Sequence, residues 1–270
     1  MEKLQRPGCQ VAYSYHPAQA EGAESTQGAE VARTVVLLHS QGLSSKMWEP
    51  QLPVLTDWGV LRMDIRGHGK SQPCEGFSVA EAAEDLYAVL EAQGITKPVL
   101  VGIALGGLVV QEYALRHGGA AGYMVVGALP MFLPRYSALE LRGLRFSVTS
   151  TKALPWEMIK DNIATASTAT RESRKAVKAM LNGMAKDGFM RISGEMLSCI
   201  RPEPLTFDAP ILAACGMQDT VGTTLRHMRD WEKGYPGVMT PIIPGASQAA
   251  NLDNPGYFNR ILLAFLDKCK

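Results

Sequence analysis

Neither sign of charge dominates this chain: 27 lysines and arginines are balanced by 26 aspartates and glutamates over 270 residues, a formal net charge of +1. With no broad positive field, nucleic acid and anionic membrane surfaces are excluded as partners. No uninterrupted apolar run approaches the roughly 20 residues that span a bilayer. Residues 1–8 are polar and hold Pro7 where a secretory signal needs an apolar stretch. The expected setting is the cytoplasm. Cys9, Cys74, Cys199, Cys215 and Cys269 are odd in number and lack C-x-x-C spacing, so neither a disulfide framework nor a zinc site is expected, and a reducing compartment is. There is no metal-ligand cluster, no dinucleotide fingerprint and no internal repeat, so no cofactor is implied.

What is present is apolar pattern. With 46% hydrophobic and 20% charged residues the chain can bury a full core, and one α/β domain carrying an insertion fits its length. Short apolar runs at 34–39, 59–64, 98–103, 122–127, 209–216 and 239–244 alternate with helix-like stretches. That rhythm predicts a mostly parallel central sheet with helices on both faces. Ser78 and Glu81 have capping-box spacing, and Val79, Ala82, Ala83, Leu86, Tyr87 and Leu90 then share one helical face. Pro255 suits a first helical turn, with Phe258, Ile261, Leu262 and Phe265 following at helical spacing. Residues 18–30, polar and without period, predict an exposed loop.

From 131 to 204 the strand-helix rhythm stops, and helix-like stretches at 155–166, 171–186 and 188–200 replace it. The chain thereby divides into a core of 1–130 and 205–270 and a helical cap of 131–204. Ligands in open α/β sheets bind beyond the carboxyl ends of the strands, where such an insertion forms a lid.

The apolar run 98–103 leads into Gly102-Ile103-Ala104-Leu105-Gly106-Gly107, whose glycines permit a sharp turn into a helix beginning near Leu105. This segment looks like a G-x-S-x-G nucleophile elbow with alanine in the serine position. His39-Ser40-Gln41-Gly42 is similar to an H-G-x-G turn, with Ser40 for a usual glycine, and 47–52 continue in the same manner. Asp64-Ile65-Arg66-Gly67-His68-Gly69-Lys70-Ser71 is similar to D-x-R-G-H-G-x-S, with Asp64 and Arg66 as polar turn anchors. Gly216-Met217-Gln218-Asp219 resembles an acid loop, and Pro244-Gly245-Ala246-Ser247-Gln248 stands where P-G-A-x-H is usual. Taken in order, these motifs resemble the α/β-hydrolase superfamily, in particular capped esterases and 3-oxoadipate enol-lactonase-like members.

The resemblance implies an α/β-hydrolase fold, with Ala104 at the nucleophile position, Asp219 at the acid and Gln248 at the base. Serine hydrolysis needs an oxygen nucleophile, an imidazole to carry its proton and a carboxylate to orient that imidazole. Alanine has no lone pair, and an amide neither takes nor gives a proton near neutral pH. Losing either group costs roughly a million-fold in kcat. Ester hydrolysis is therefore expected to be absent. The backbone N–H groups of Gln41 and Leu105 are still placed to form an oxyanion hole, and removing one such donor costs about 3 kcal/mol. Gln248 reads as a pocket wall or, alternatively, as a hydrogen-bonding side chain that orients a substrate; Asp219 reads as a structural loop carboxylate or, alternatively, a general base. His39 reads as a scaffold residue bordering the site.

Ser40, Phe132, Trp156 and Met158 are the candidate substrate-binding residues, Phe132 because it follows a strand end into the cap. The other large cap side chains, Met180, Met184, Phe189, Met190 and Met196, read as cap core or as pocket wall. Three functions remain open: a lyase, isomerase or cyclase acting non-hydrolytically on a small carbonyl metabolite; a non-catalytic ligand-binding pseudoenzyme; or an inactivated esterase or lactonase.

Overall fold

A computed structural model describes residues 1–18, 33–131, 138–200, 205–221 and 225–270. Two antiparallel strands, β1 (Glu2–Arg6) and β2 (Cys9–His16), open the chain, and β2 pairs antiparallel with β4 (Gly59–Met63). Every other pairing is parallel: β3 (Thr34–Leu38), β5 (Val99–Ile103), β6 (Gly122–Val126), β7 (Ile211–Gly216) and β8 (Ile242–Ile243) complete one sheet in the order β1-β2-β4-β3-β5-β6-β7-β8. β3, β5, β6 and β7 are buried at every residue. Strands covered on both faces need unbroken apolar runs, and these have them. The run at 239–244 pairs over only two residues, with a separate bridge at Met239, because Pro241 and Pro244 bracket it and lack the N–H a ladder needs.

Helix α1 (Val79–Ala92) begins where the capping spacing predicts: Glu81 N–H donates to Ser78 Oγ at 3.0 Å, and the hydroxyl donates to Glu81 Oε2 at 2.9 Å. Its buried face loses one expected residue and gains Asp85 and Val89. Tyr87 is 37% exposed and stacks on His117 at 4.1 Å, while Val89 takes the inward place. Helix α2 (Leu105–Arg116) follows β5 directly.

Between β6 and β7 lie α3 (Ala138–Thr151), α4 (Trp156–Ser167), α5 (Arg171–Leu181) and α6 (Lys186–Met196), then a short 3-10 turn over Leu197–Cys199. The helix expected over 171–186 stops at Leu181, with Asn182 and Gly183 closing it before α6. The core is completed by α7 (Leu225–Gly234), α8 (Ala250–Asp253) and α9 (Pro255–Lys268). In α9, Phe258, Leu262 and Phe265 are buried and Ile261 half-buried, and Asn254 Oδ1 caps Tyr257 N–H at 3.1 Å. The loop expected at 18–30 falls, beyond Ala18, outside the described residues.

The turn after β4 is a buried polar scaffold. Asp64 accepts from Ser45 N at 2.7 Å and Lys70 N at 2.8 Å, and Arg66 is paired with fully buried Asp85 at 2.7 Å. The same turn overturns one expectation. Cys9 and Cys74, 65 residues apart, form a disulfide. Sequence spacing carries no trace of it, because β2 and the 64–74 turn meet only in the fold. There Ala12 N–H donates to Ser71 Oγ at 2.7 Å, and Ser71 Oγ donates to Asp64 O at 2.6 Å. Cys215 and Cys269 are free thiols. Among the described residues no helix is long and apolar enough to cross a membrane.

Candidate active site

The backbone at the end of β5 turns abruptly. Ala104 holds φ +48° and ψ −106°, the one positive φ outside glycine among the described residues. Such a conformation costs about 1–3 kcal/mol for an L-residue and persists only where its surroundings fix it. Here Ala104 N–H donates to Val126 O at 2.8 Å, and Leu108 N–H to Ala104 O at 3.1 Å. The turn is possible because its neighbours lack side chains. A Cβ at Gly106 would stand 2.3 Å from Leu38 O, and one at Gly102 would stand 2.2 Å from the Gly106 carbonyl. The start of α2 therefore lies directly on the end of β3, where Gly106 N–H donates to His39 O at 3.1 Å.

That contact brings two loops together. Leu105, fully buried, offers its backbone N–H rather than its side chain, as first-turn residues of a helix do. The N–H groups of Leu105 and Gln41 have no hydrogen-bond acceptor among the described residues. The Gln41 side chain points away and ties its loop to α6, donating from Nε2 to Ser193 Oγ at 2.7 Å and to Phe189 O at 3.0 Å.

His39 is wholly buried and both ring nitrogens are engaged. Nε2 accepts from Ile65 N–H at 2.9 Å, so Nδ1 carries the proton and donates to Ser40 O at 2.8 Å. Burial lowers its pKa, against the opposing pull of Asp64 and of the Ser40 bond. His68 packs edge-on at 5.1 Å and is pushed down to about 3, by burial first and by His39 second. Both are neutral scaffold imidazoles.

On the other side, Asp219 and Gln248 come from the loops after β7 and β8. Both lie over Gly127: a Cβ there would stand 3.1 Å from Asp219 Oδ2 and 3.2 Å from Gln248 Cγ. Asp219 is buried, and its Oδ1 accepts from Val221 N–H at 2.9 Å. Gln248 is half-buried and its side-chain amide has no hydrogen-bond partner among the described residues. Nearby Cys215 supplies no thiolate, since burial, then Asp219, push its thiol up to about 11.

These pieces surround a cavity of about 210 Å³. Ser40, Gln41, Ala104 and Gln248 line it; Asp219 stands beside it, next to Gly127. Apolar walls come from Leu108, Leu129 and Met131 of the sheet domain and from Ile163, Phe189 and Met196 of the inserted helices. No lining side chain among the described residues is titratable. No group of three metal-ligating side chains occurs among them either.

Two expected wall residues are placed elsewhere. Trp156 packs on Phe189 at 5.5 Å and Met158 is 49% exposed; neither lines the cavity, because α4 turns Ile163 inward instead. Phe132 lies outside the described residues. Phe189 and Met196, which the sequence left between core and wall, are walls. Ile163, Leu129 and Val221 were not signalled by any motif.

A model of the alpha/beta hydrolase fold matches residues 33–135. Over the whole length, the enol-lactonase of Burkholderia xenovorans superposes with a TM-score of 0.82 at 19% identity, covering 98% of this chain and 100% of that one. The chain has the α/β-hydrolase fold. Among curated proteins of this fold, 3-oxoadipate enol-lactonase 1 of Acinetobacter baylyi is 25% identical over 252 residues, 88% of this chain and 90% of that protein. A 2-succinyl-6-hydroxy-2,4-cyclohexadiene-1-carboxylate synthase of Pectobacterium atrosepticum is 36% identical over 104 residues. That match spans 38% of this chain and 41% of the relative. On this fold the β5–α2 turn, the loop after β3 and the loops after β7 and β8 meet at the carboxyl end of the sheet, where α/β folds bind ligands.

Proposed function

We propose that this chain binds a small, uncharged carbonyl compound and transforms it without a covalent enzyme intermediate, as a lyase, isomerase or cyclase. The observation that carries the reading is the composition of the cavity wall. Around Ala104 and Gln248 stand hydrogen-bond donors and apolar side chains, and no titratable group among the described lining residues. In our reading Ala104 occupies the nucleophile position and Gln248 the base position, so the acyl and proton transfers of a serine hydrolase have no carriers. Helices α3–α6 act as the cap over the cavity.

What the residues can do is chiefly electrostatic. The N–H groups of Leu105 and Gln41 bind a carbonyl oxygen and favour the state in which it gains negative charge, the enolate of an isomerisation or retro-aldol cleavage, while Asp219, beside the cavity at Gly127, takes the released proton as general base and returns it to the product carbon. Gln248 and the Ser40 hydroxyl orient the remainder of the ligand, and the apolar wall holds it in one reactive conformer. An uncharged ligand fits because a buried carboxylate would find no cation among the described wall residues. A partial relative bearing the name of a synthase supports chemistry other than hydrolysis on this fold.

The same wall favours a second reading, a carrier that binds without turnover, since it offers no acid or base. Incubating the protein with neutral ketones, enones, β-hydroxyketones, esters and lactones in ¹⁸O-water, followed by mass spectrometry, separates these. Turnover without ¹⁸O in an acyl product supports the enzyme. Binding without turnover supports the carrier, and an ¹⁸O-labelled carboxylic acid would end the non-hydrolytic reading.

A further inference from the structure

We propose that a second chamber, between α3, α4 and α6, holds the unbranched hydrocarbon tail of the ligand whose carbonyl sits beside Ala104; this inference rests on the carbonyl-binding reading. The chamber measures about 310 Å³ and shares Ile163, Phe189 and Val221 with the inner cavity. Those three side chains wall both spaces, so the two adjoin there, and in our proposal a ligand too long for the inner cavity extends past them. Beyond them the wall continues with Val148, Leu154 and Ile159.

Three features fix the chemistry of the occupant. No titratable side chain lines the chamber among the described residues, so nothing there rewards a charged tail. Ser193, one of its few polar groups, is already engaged, donating to Phe189 O at 2.9 Å and accepting from Gln41 Nε2 at 2.7 Å. Leu154 and Val221 remain 36% and 52% exposed at its edge, apolar surface that water covers when the chamber is empty. Covering such surface with methylenes is favourable in proportion to area. A hydrocarbon chain continuous with the inner ligand is the occupant that meets all three.

The test is isothermal titration of the full chain with straight-chain methyl ketones from 2-butanone to 2-undecanone. Once the tail passes Phe189, affinity is expected to rise about fourfold per added methylene. Leu154→Asp places a charge at the chamber edge, away from the inner cavity. It should erase the gain for 2-undecanone and leave 2-butanone unchanged. Ala166→Leu, which fills the chamber without adding charge, should weaken the longest ketones selectively. If short ketones bind and affinity is flat with length, or if both variants bind 2-undecanone as the native chain does, the chamber is an entrance and the tail proposal fails alone. If no ketone of any length binds, the carbonyl-binding reading fails and takes the tail proposal with it.

Discussion

Asp219 and Gln248 meet over a single residue, Gly127, whose missing side chain leaves room for both: a Cβ there would stand 3.1 Å from the carboxylate and 3.2 Å from the amide chain. Gly127 also holds φ at +54°, where an L-residue is strained. Gly127→Ala is therefore expected to destabilise the fold by about 1–3 kcal/mol. It should also weaken ligand binding by displacing Gln248. Urea unfolding and ketone titration measure the two effects; an unchanged midpoint would show that the loops part freely.

Ala104 supplies the converse case. Glycine there relieves a strain of about 1–3 kcal/mol and adds an unfolded-state entropy of about 0.4–1 kcal/mol. Ala104→Gly should stabilise the chain by about 1 kcal/mol, read as a higher urea midpoint with an unchanged slope. A lower midpoint would mean that the elbow is not strained.

Asp253 joins the inserted helices to the loop that carries Gln248. It accepts from Ala169 N at 2.9 Å, Thr170 N at 3.1 Å, Ser247 N at 2.9 Å and the Ser173 hydroxyl. Removing a charged acceptor strands its donors, and a single such bond contributes about 1.5–3 kcal/mol. Asp253→Ala is expected to lower stability by at least that amount and to expose residues 169–173 to protease. Native resistance to cleavage in the variant would contradict the latch.

The paired imidazoles set an acid limit. His68 is pushed down to about 3 and His39 is lowered, from an ordinary 6.5, so the unfolded chain takes up protons before the folded one does. Their contribution is complete above pH 6.5 and is lost as pH falls below it, at up to about 1.4 kcal/mol per pH unit for each ring. The urea midpoint should drop between pH 6.5 and 5. His68→Gln should be less stable at pH 7 yet show a shallower pH slope; a native midpoint constant across that window would refute neutral burial.

The parallel strands could be read from sequence because a strand buried on both faces must be apolar throughout, and residues 99–103 and 122–126 are. Helix starts were legible where one side chain does the capping, as Ser78 does. What depended on distant partners was not. Cys9 and Cys74 meet only once β2 lies beside the 64–74 turn. Tyr87 lies on a plausible apolar face but finds His117 outside it. In the insertion, α3 carries Gly143 and a Ser/Thr-rich end that mask its helical character, and α4 selects Ile163 rather than Trp156 or Met158 for the cavity. Motifs located the loops around Ala104, Asp219 and Gln248 because loop chemistry is local, whereas the apolar walls are set by how the helices dock.

We propose that hydrogen-bond donors remain at this site while Ala104 and Gln248 stand at the nucleophile and base positions. It is tested most directly by p-nitrophenyl butyrate hydrolysis with the native chain and with Ala104→Ser/Gln248→His measured side by side. The native chain should match the buffer rate, and the double variant should exceed it, with either single change near background because the two groups act as a unit. Ester cleavage by the native chain at an ordinary enzymatic rate, about 10 per second, would contradict the account.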